Sequence, residues 1–208
     1  MVHEQLSIES IAPAGVLVGS RRIEMGDEHA LLPEEAAAFA RTVAKSRRAS
    51  GAARLVARGL LERLGYPRGP VPKAASGAPV WPAGLVGSLA HDPEFAVAAI
   101  ARRDNFSGVG IDVEETTDLP DDLIDLVTTP AERAAIGRDA FRAKLLFAAK
   151  EAVYKAVYPI DGIFLEHHDV EVDLPRGVAV VRGRRHVDLR VMERPRIVVI
   201  ATIGGRWS

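Results

Sequence analysis

The stretch Gly108-Val109-Gly110-Ile111-Asp112-Val113-Glu114-Glu115 combines residue types and spacing that could do chemistry. In a strand, alternate side chains share a face. Val109, Ile111 and Val113 would turn into a core, and Gly110, Asp112 and Glu114 the other way. Two carboxylates about 7 Å apart on one face repel unless a cation sits between them. Oxygen-only donors suit Mg²⁺, which takes one or two carboxylates and completes its shell with waters and phosphate oxygens. Gly110 would leave room for a ligand to approach. The plainer reading is an exposed strand face carrying ordinary acids.

A second stretch is Phe147-Ala148-Ala149-Lys150-Glu151-Ala152-Val153-Tyr154-Lys155-Ala156. On a helix, Glu151 and Lys155 are i, i+4 neighbours and Phe147 lies one turn back on the same side. They could form a surface ion pair worth a few tenths of a kcal/mol, roughly, and nothing more. Alternatively, Glu151 is a third metal carboxylate and Lys150 and Lys155 neutralise phosphate oxygens as point charges.

Upstream, Arg47, Arg54 and Arg58 share one side of a helix whose opposite side carries Ala53, Val56, Leu60 and Leu64. Like charges at i, i+4 cost stability, so an unmixed arginine face implies an anion partner: phosphate, or acids from elsewhere in the fold. Gly87-Ser88-Leu89-Ala90-His91 could bring a hydroxyl and an imidazole to one anion, or could simply end a hairpin. It lacks the glycine pattern of a nucleophile elbow, and nothing marks a triad acid.

These residues need elements to hold them. Ile11 to Gly19 reads as a strand. Leu31-Leu32-Pro33-Glu34-Glu35 reads as a helix start, with proline in the first turn and acids at the positive end of the dipole. Helical pattern then runs to about Leu64, where Gly65 stops it. Pro67 to Pro82 holds five prolines and two glycines and reads as loop, with Val80-Trp81 a short strand inside it. Leu85–Leu89 and Phe95–Ile100 form a hairpin around His91-Asp92-Pro93-Glu94, and Val109–Glu114 is a third strand. Asp118–Ile136 is helical in parts, and Asp139–Tyr158 is the clearest helix of the second half. Val170–Ile203 alternates like antiparallel strands around the basic turn Arg182-Gly183-Arg184-Arg185. The boundary between halves falls near residue 106.

Composition narrows the function classes. The 208 residues contain no cysteine, which excludes thiolate catalysis and cysteine-ligated metals. The net charge of −1 gives no global sign of nucleic acid or membrane as partner. The N-terminus has no basic region of a signal peptide and no run is long enough to span a membrane, so a cytoplasmic protein is expected. Charge is nonetheless segregated. Arg41 to Lys73 has nine basic residues and one acid, whereas Asp112 to Glu132 has eight acids and no base.

The order of motifs resembles one family. An Arg-rich helix is followed by Lys73 before Gly77-Ala78-Pro79-Val80-Trp81-Pro82, then Gly87-Ser88-Leu89-Ala90-His91. Gly110-Ile111-Asp112-Val113-Glu114 comes next, and then Lys150-Glu151-Ala152-Val153-Tyr154-Lys155. This series resembles the Sfp-type 4′-phosphopantetheinyl transferases, nearest the branch of the enterobactin-synthase transferase and its actinobacterial relatives. The resemblance implies an α+β (α/β) fold of two similar subdomains, 1–106 and 107–208, related by a pseudo-two-fold axis with coenzyme A between them.

It also implies Mg²⁺-dependent transfer of phosphopantetheine to a serine of an apo acyl or peptidyl carrier protein, as in holo-acyl-carrier-protein synthases. Asp112, Glu114 and Glu151 would hold Mg²⁺, with Mn²⁺ acceptable, and Glu151 would serve as base. Lys150 and Lys155 would steady the diphosphate, and Ser88 and His91 would contact nucleotide phosphates. Arg47 or Arg48, Arg54 and Lys73 would surround the adenosine 3′-phosphate. A monomer is implied, with neither nucleic acid nor membrane as partner. The sequence departs from the family pattern at Ala90, at Ala49-Ser50-Gly51 and at Leu165-Glu166-His167-His168. The alternatives are an Mg²⁺-dependent hydrolase of a coenzyme A-like diphosphate and a non-catalytic coenzyme A-binding protein.

Overall fold

The structure, a computed structural model, describes residues 6–204. Its elements in chain order are strand β1 (Val16–Arg22), helices α1 (Pro33–Ala36) and α2 (Ala44–Arg63), and strands β2 (Leu85–His91), β3 (Phe95–Arg102) and β4 (Gly108–Glu114). Helices α3 (Asp121–Val127), α4 (Pro130–Ile136) and α5 (Ala140–Asp161) follow, then strands β5 (Val170–Asp173), β6 (Val178–Val181), β7 (Arg185–Met192) and β8 (Ile197–Ile203). Helix and sheet are thus mixed throughout, an α+β architecture.

The strands form two antiparallel sheets. One has three strands in the order β1-β3-β2, the other five in the order β4-β8-β7-β6-β5. Both faces of each sheet are used. Val16, Val18, Val86, Val97 and Ala99 of the small sheet pack against Val109, Ile111, Val113, Val198 and Ile200 of the large one. Ala57, Leu60 and Leu61 of α2 cover the outer face of the small sheet at Leu85, Ala98 and Ile100. Ala149, Ala152, Val153 and Ala156 of α5 cover the outer face of the large sheet at Ile197, Val199 and Ala201. The layers therefore run helix, sheet, sheet, helix. Burial on both faces explains why β3, β4 and β8 read as continuous apolar runs rather than alternating ones.

Three local expectations differ. The first strand begins at Val16, because Ile8–Ile11 is a 3₁₀ turn and Gly15 carries the chain round at φ +86°. The helix expected from Pro33 to Leu64 is broken: Ala37–Phe39 tightens to 3₁₀, the Thr42 hydroxyl donates to the Phe39 carbonyl, and Val43 is extended. Val80-Trp81 is not a strand. Only a single bridge, Lys73 to Pro79, forms there, since prolines 79 and 82 cannot donate to a ladder.

Candidate active site

Helix α5 lies directly on β4 because β4 presents no side chains at the contact. A Cβ on Gly110 would stand 1.9 Å from the Ala152 carbonyl oxygen, and one on Gly108 2.3 Å from that of Ala156. Gly110 therefore admits a helix, where its place in the motif predicts room for a ligand. This close approach brings the next residues of β4 against the polar side of α5. Lys155 Nζ donates to Asp112 Oδ1 at 2.6 Å and lies 3.4 Å from the Ile111 carbonyl oxygen. Lys155 thus reaches across to the strand.

About three turns nearer the start of α5, Lys144 Nζ donates to Glu114 Oε2 at 2.5 Å and stands 5.1 Å from the centroid of the Phe147 ring. The motif reading missed Lys144. Two turns ahead of Glu151 on the same helix face, it looks from sequence like any surface lysine.

The carboxylates crowd one another. Burial, first of all, raises the pKa of Asp112 above its ordinary value; Lys155 opposes and Glu151 adds to the rise. Glu114 is raised by burial, against the hydrogen bond from Lys144, and Glu151 by burial, with Lys155 opposing and Glu114 adding. Asp112 Oδ2 is buried with no hydrogen-bond partner among the described residues. An orphaned carboxylate oxygen is costly to bury, so the site has an unfilled requirement for positive charge.

Among the described residues no three His, Cys, Asp or Glu side chains stand as a ready ligand set. Here lysines hold one oxygen each of Asp112 and Glu114. The donor set still fits a hard divalent cation: it is all oxygen, and it includes the unpaired Oδ2.

Lys150 is a correction. Its side chain is turned inward, 2% exposed, and its ammonium donates to Glu132 Oε2 and to the carbonyl oxygens of Val127 and His167. Its pKa is lowered by burial, with the bond to Glu132 opposing. All three donor positions are spent on the fold, so it cannot steady a substrate phosphate from here. Glu132 closes the same hub, accepting from the backbone of Thr129 and Val172.

The cationic wall comes from α2 and the end of β2. A cleft of about 560 Å³ is lined by Lys45, Ser46, Arg48, His91 and Glu114. Arg48 also pairs with Glu28 at 3.0 Å, and its guanidinium holds the Glu28 carboxyl down at about 2. Arg47 instead donates to the Thr42 carbonyl oxygen at 2.6 Å. His91 is kept below the ordinary histidine pKa by partial burial, then by the Lys155 ammonium.

Arg54 and Ser88 are further corrections. Arg54 is 4% exposed, donates to the Val71 and Ser50 carbonyl oxygens, and stacks 4.8 Å from the Phe39 ring. Arg58 is bonded to both oxygens of the fully buried Glu35, which also lies 3.7 Å from Arg54. The arginine stripe is thus answered in part by an acid of the fold. Lys73 is exposed, its ammonium 5.4 Å from the other partner of Arg54, the Phe39 ring. Ser88 shares the inner face of β2 with Val86 and Ala90, whereas His91 shares the outer face with Leu89; an i, i+3 pair on a strand points to opposite faces.

A second cavity, about 200 Å³, opens beside Glu151 and is walled by Tyr154, Phe164, Leu165, Glu166 and His167. Leu165, Glu166 and His167 of the departing stretch therefore form a wall beside Glu151.

Two face-to-face sheets, with a long helix on each outer side and a cleft lined by both cations and carboxylates, define the class as an α+β enzyme with a charged interlayer cleft. The sequence model of the 4′-phosphopantetheinyl transferase N-terminal domain matches residues 34–101, and that of the 4′-phosphopantetheinyl transferase superfamily matches residues 108–189. The 4′-phosphopantetheinyl transferase Svp of Streptomyces mobaraensis is 43% identical over 184 residues, covering 86% of this chain and 74% of that protein. The 4′-phosphopantetheinyl transferase PptT of Mycobacterium tuberculosis is 38% identical over 185 residues, 85% of this chain and 80% of its own. Enterobactin synthase component D of Escherichia coli K12 is 34% identical over 84 residues, 38% of this chain and 39% of that protein. The chain belongs to the 4′-phosphopantetheinyl transferase superfamily and is a transferase of the actinobacterial type.

Proposed function

We propose that the enzyme moves 4′-phosphopantetheine from coenzyme A to a serine of an apo acyl or peptidyl carrier protein, with Asp112, Glu114 and Glu151 holding Mg²⁺, or Mn²⁺ in its place. The observation that carries this reading is the buried, unpaired Asp112 Oδ2 beside two further carboxylates, next to a cleft lined by Lys45, Arg48 and His91. When bound, the cation supplies charge neutralisation on the diphosphate.

The chain's own groups do the rest. Arg48 holds the adenosine 3′-phosphate, with Lys45 and exposed Lys73 extending the positive field. Neutral His91 donates an N–H to a phosphate oxygen. The serine hydroxyl attacks the β-phosphorus in line, forming the new P–O bond as the bond to the bridging oxygen breaks. Adenosine 3′,5′-bisphosphate leaves with that oxygen, and the Lys155 ammonium stabilises the charge developing there. Glu151 accepts the serine proton. The cavity beside Tyr154 and Phe164 receives the pantetheine arm.

The two-subdomain division, 1–106 and 107–208 about an approximate two-fold axis, is part of this reading. It is supported by one long helix on the outer face of each sheet. So are a monomeric state, a cytoplasmic location and the lack of nucleic-acid or membrane partners. Among the described residues, no helix is long and apolar enough to cross a membrane.

The test is intact-mass spectrometry of an apo carrier protein incubated with the enzyme, coenzyme A and Mg²⁺, with EDTA and Glu151→Gln controls. One added phosphopantetheine, lost in both controls, is expected. Release of free phosphopantetheine with an unlabelled carrier would replace transfer by hydrolysis.

A further inference from the structure

The strongest unassigned feature of the site is Lys144. Its Nζ lies 2.5 Å from Glu114 Oε2. The side chain is 13% exposed and rests over Phe147, so the ammonium is held in place, not waving in solvent. Lys144, Glu151 and Lys155 recur at seven and four residues, which places them on one face of α5. Opposite them stand Asp112 and Glu114. The cluster thus contains three carboxylates and two ammoniums, a net charge of about −1 when all are ionised.

We propose that Lys144 is a positioning and charge-balancing residue that couples the cation to the diphosphate. It takes the supporting role the motif had suggested for Lys150, but acts through Glu114. A divalent cation approaching Glu114 must share that carboxylate with the Lys144 ammonium, so Lys144 weakens binding of the cation alone. The same ammonium offsets carboxylate charge that would repel the coenzyme A diphosphate, so it strengthens binding of the nucleotide. The site therefore favours cation and diphosphate together over the cation by itself. This rests on the carboxylate site and coenzyme A cleft proposed above.

Coulomb's law makes the two effects opposite in sign, which a merely structural role would not do. The experiment uses the full chain with Lys144→Met and Lys144→Arg. Mn²⁺ binding without nucleotide is read from the electron paramagnetic resonance of free Mn²⁺, and coenzyme A binding in EDTA by calorimetry. Lys144→Met is expected to bind Mn²⁺ roughly tenfold tighter and coenzyme A several-fold more weakly, with Lys144→Arg near the parent in both. Mn²⁺ binding that Lys144→Met weakens or leaves unchanged overturns the inference alone. If the parent binds no Mn²⁺ either with or without coenzyme A, the metal reading itself falls, and the inference with it.

Discussion

At the scale of single residues, the difference between Arg48 and Arg54 shows what burial decides. Arg48 lines the cleft, whereas Arg54 is spent on backbone carbonyls beside Glu35. Arg48→Ala should weaken coenzyme A roughly tenfold more than 3′-dephospho-coenzyme A. Arg54→Ala should instead cost about 2–4 kcal/mol of stability and leave that discrimination intact, as calorimetry and thermal melts will show. The acids carry a pH signature. With its pKa raised by burial, Asp112 binds a proton more readily in the folded, metal-free protein than in the unfolded chain. Its contribution to stability therefore falls as pH rises from the ordinary aspartate value, about 4, toward the raised one. In EDTA, Asp112→Asn should melt above the parent by a margin that widens with pH through that window. A margin independent of pH would mean that Asp112 ionises freely. The site acids and Lys155 were legible in sequence because each sits in a short motif. Glu35 was not, since it lies upstream of the basic run whose charge it balances and only the fold brings them together.

At the scale of elements, the geometry of the carboxylate and lysine cluster depends on how closely α5 approaches β4. Gly110→Ala would place a methyl group against the Ala152 carbonyl oxygen and force helix and strand apart. A loss of about 1–3 kcal/mol or more is expected, together with a fall in kcat that saturating Mg²⁺ does not restore, because Glu151 and Lys155 move with the helix. A variant with full activity and an unchanged melt would show that the contact is slack. Strand alternation was readable and correctly sent Val109, Ile111 and Val113 to a core. That the other face of β4 is also covered was not readable, since a glycine that admits a helix looks the same in sequence as one that admits a ligand. The break between α1 and α2 was hidden for a related reason. The residues around it are ordinary helix formers, and the stop comes from the turn closed by Thr42 and from extended Val43.

At the scale of the whole molecule, Arg196 ties the two sheets at the cleft through ion pairs to Asp92 and Glu94. Asp92, in the β2–β3 turn, accepts from the Glu94 and Phe95 amides with one oxygen and from Arg196 Nε with the other at 2.8 Å. Arg196, just before β8, also meets Glu94 at 3.0 Å and stacks on Phe95. Arg196→Met leaves the buried Asp92 without its partner across the sheets. It should cost about 1–3 kcal/mol by thermal unfolding and weaken coenzyme A binding in the cleft proposed for it, whose walls Arg196 holds in register. Unchanged affinity in a destabilised variant would confine the pair to the fold.

The sequence by itself determined the family, the hairpin before β4, the long helix α5 and the identity of the acids beside Lys155, because these depend on local spacing. Tertiary structure alone decided that Lys150 turns inward while Lys144 pairs with Glu114, that Arg54 and Arg58 answer Glu35, and that Ser88 and His91 part company. Each of those outcomes depends on which buried charge finds a partner and which face another layer covers. The free energy of burying a charge is set by neighbours distant in the chain, and spacing carries no record of them.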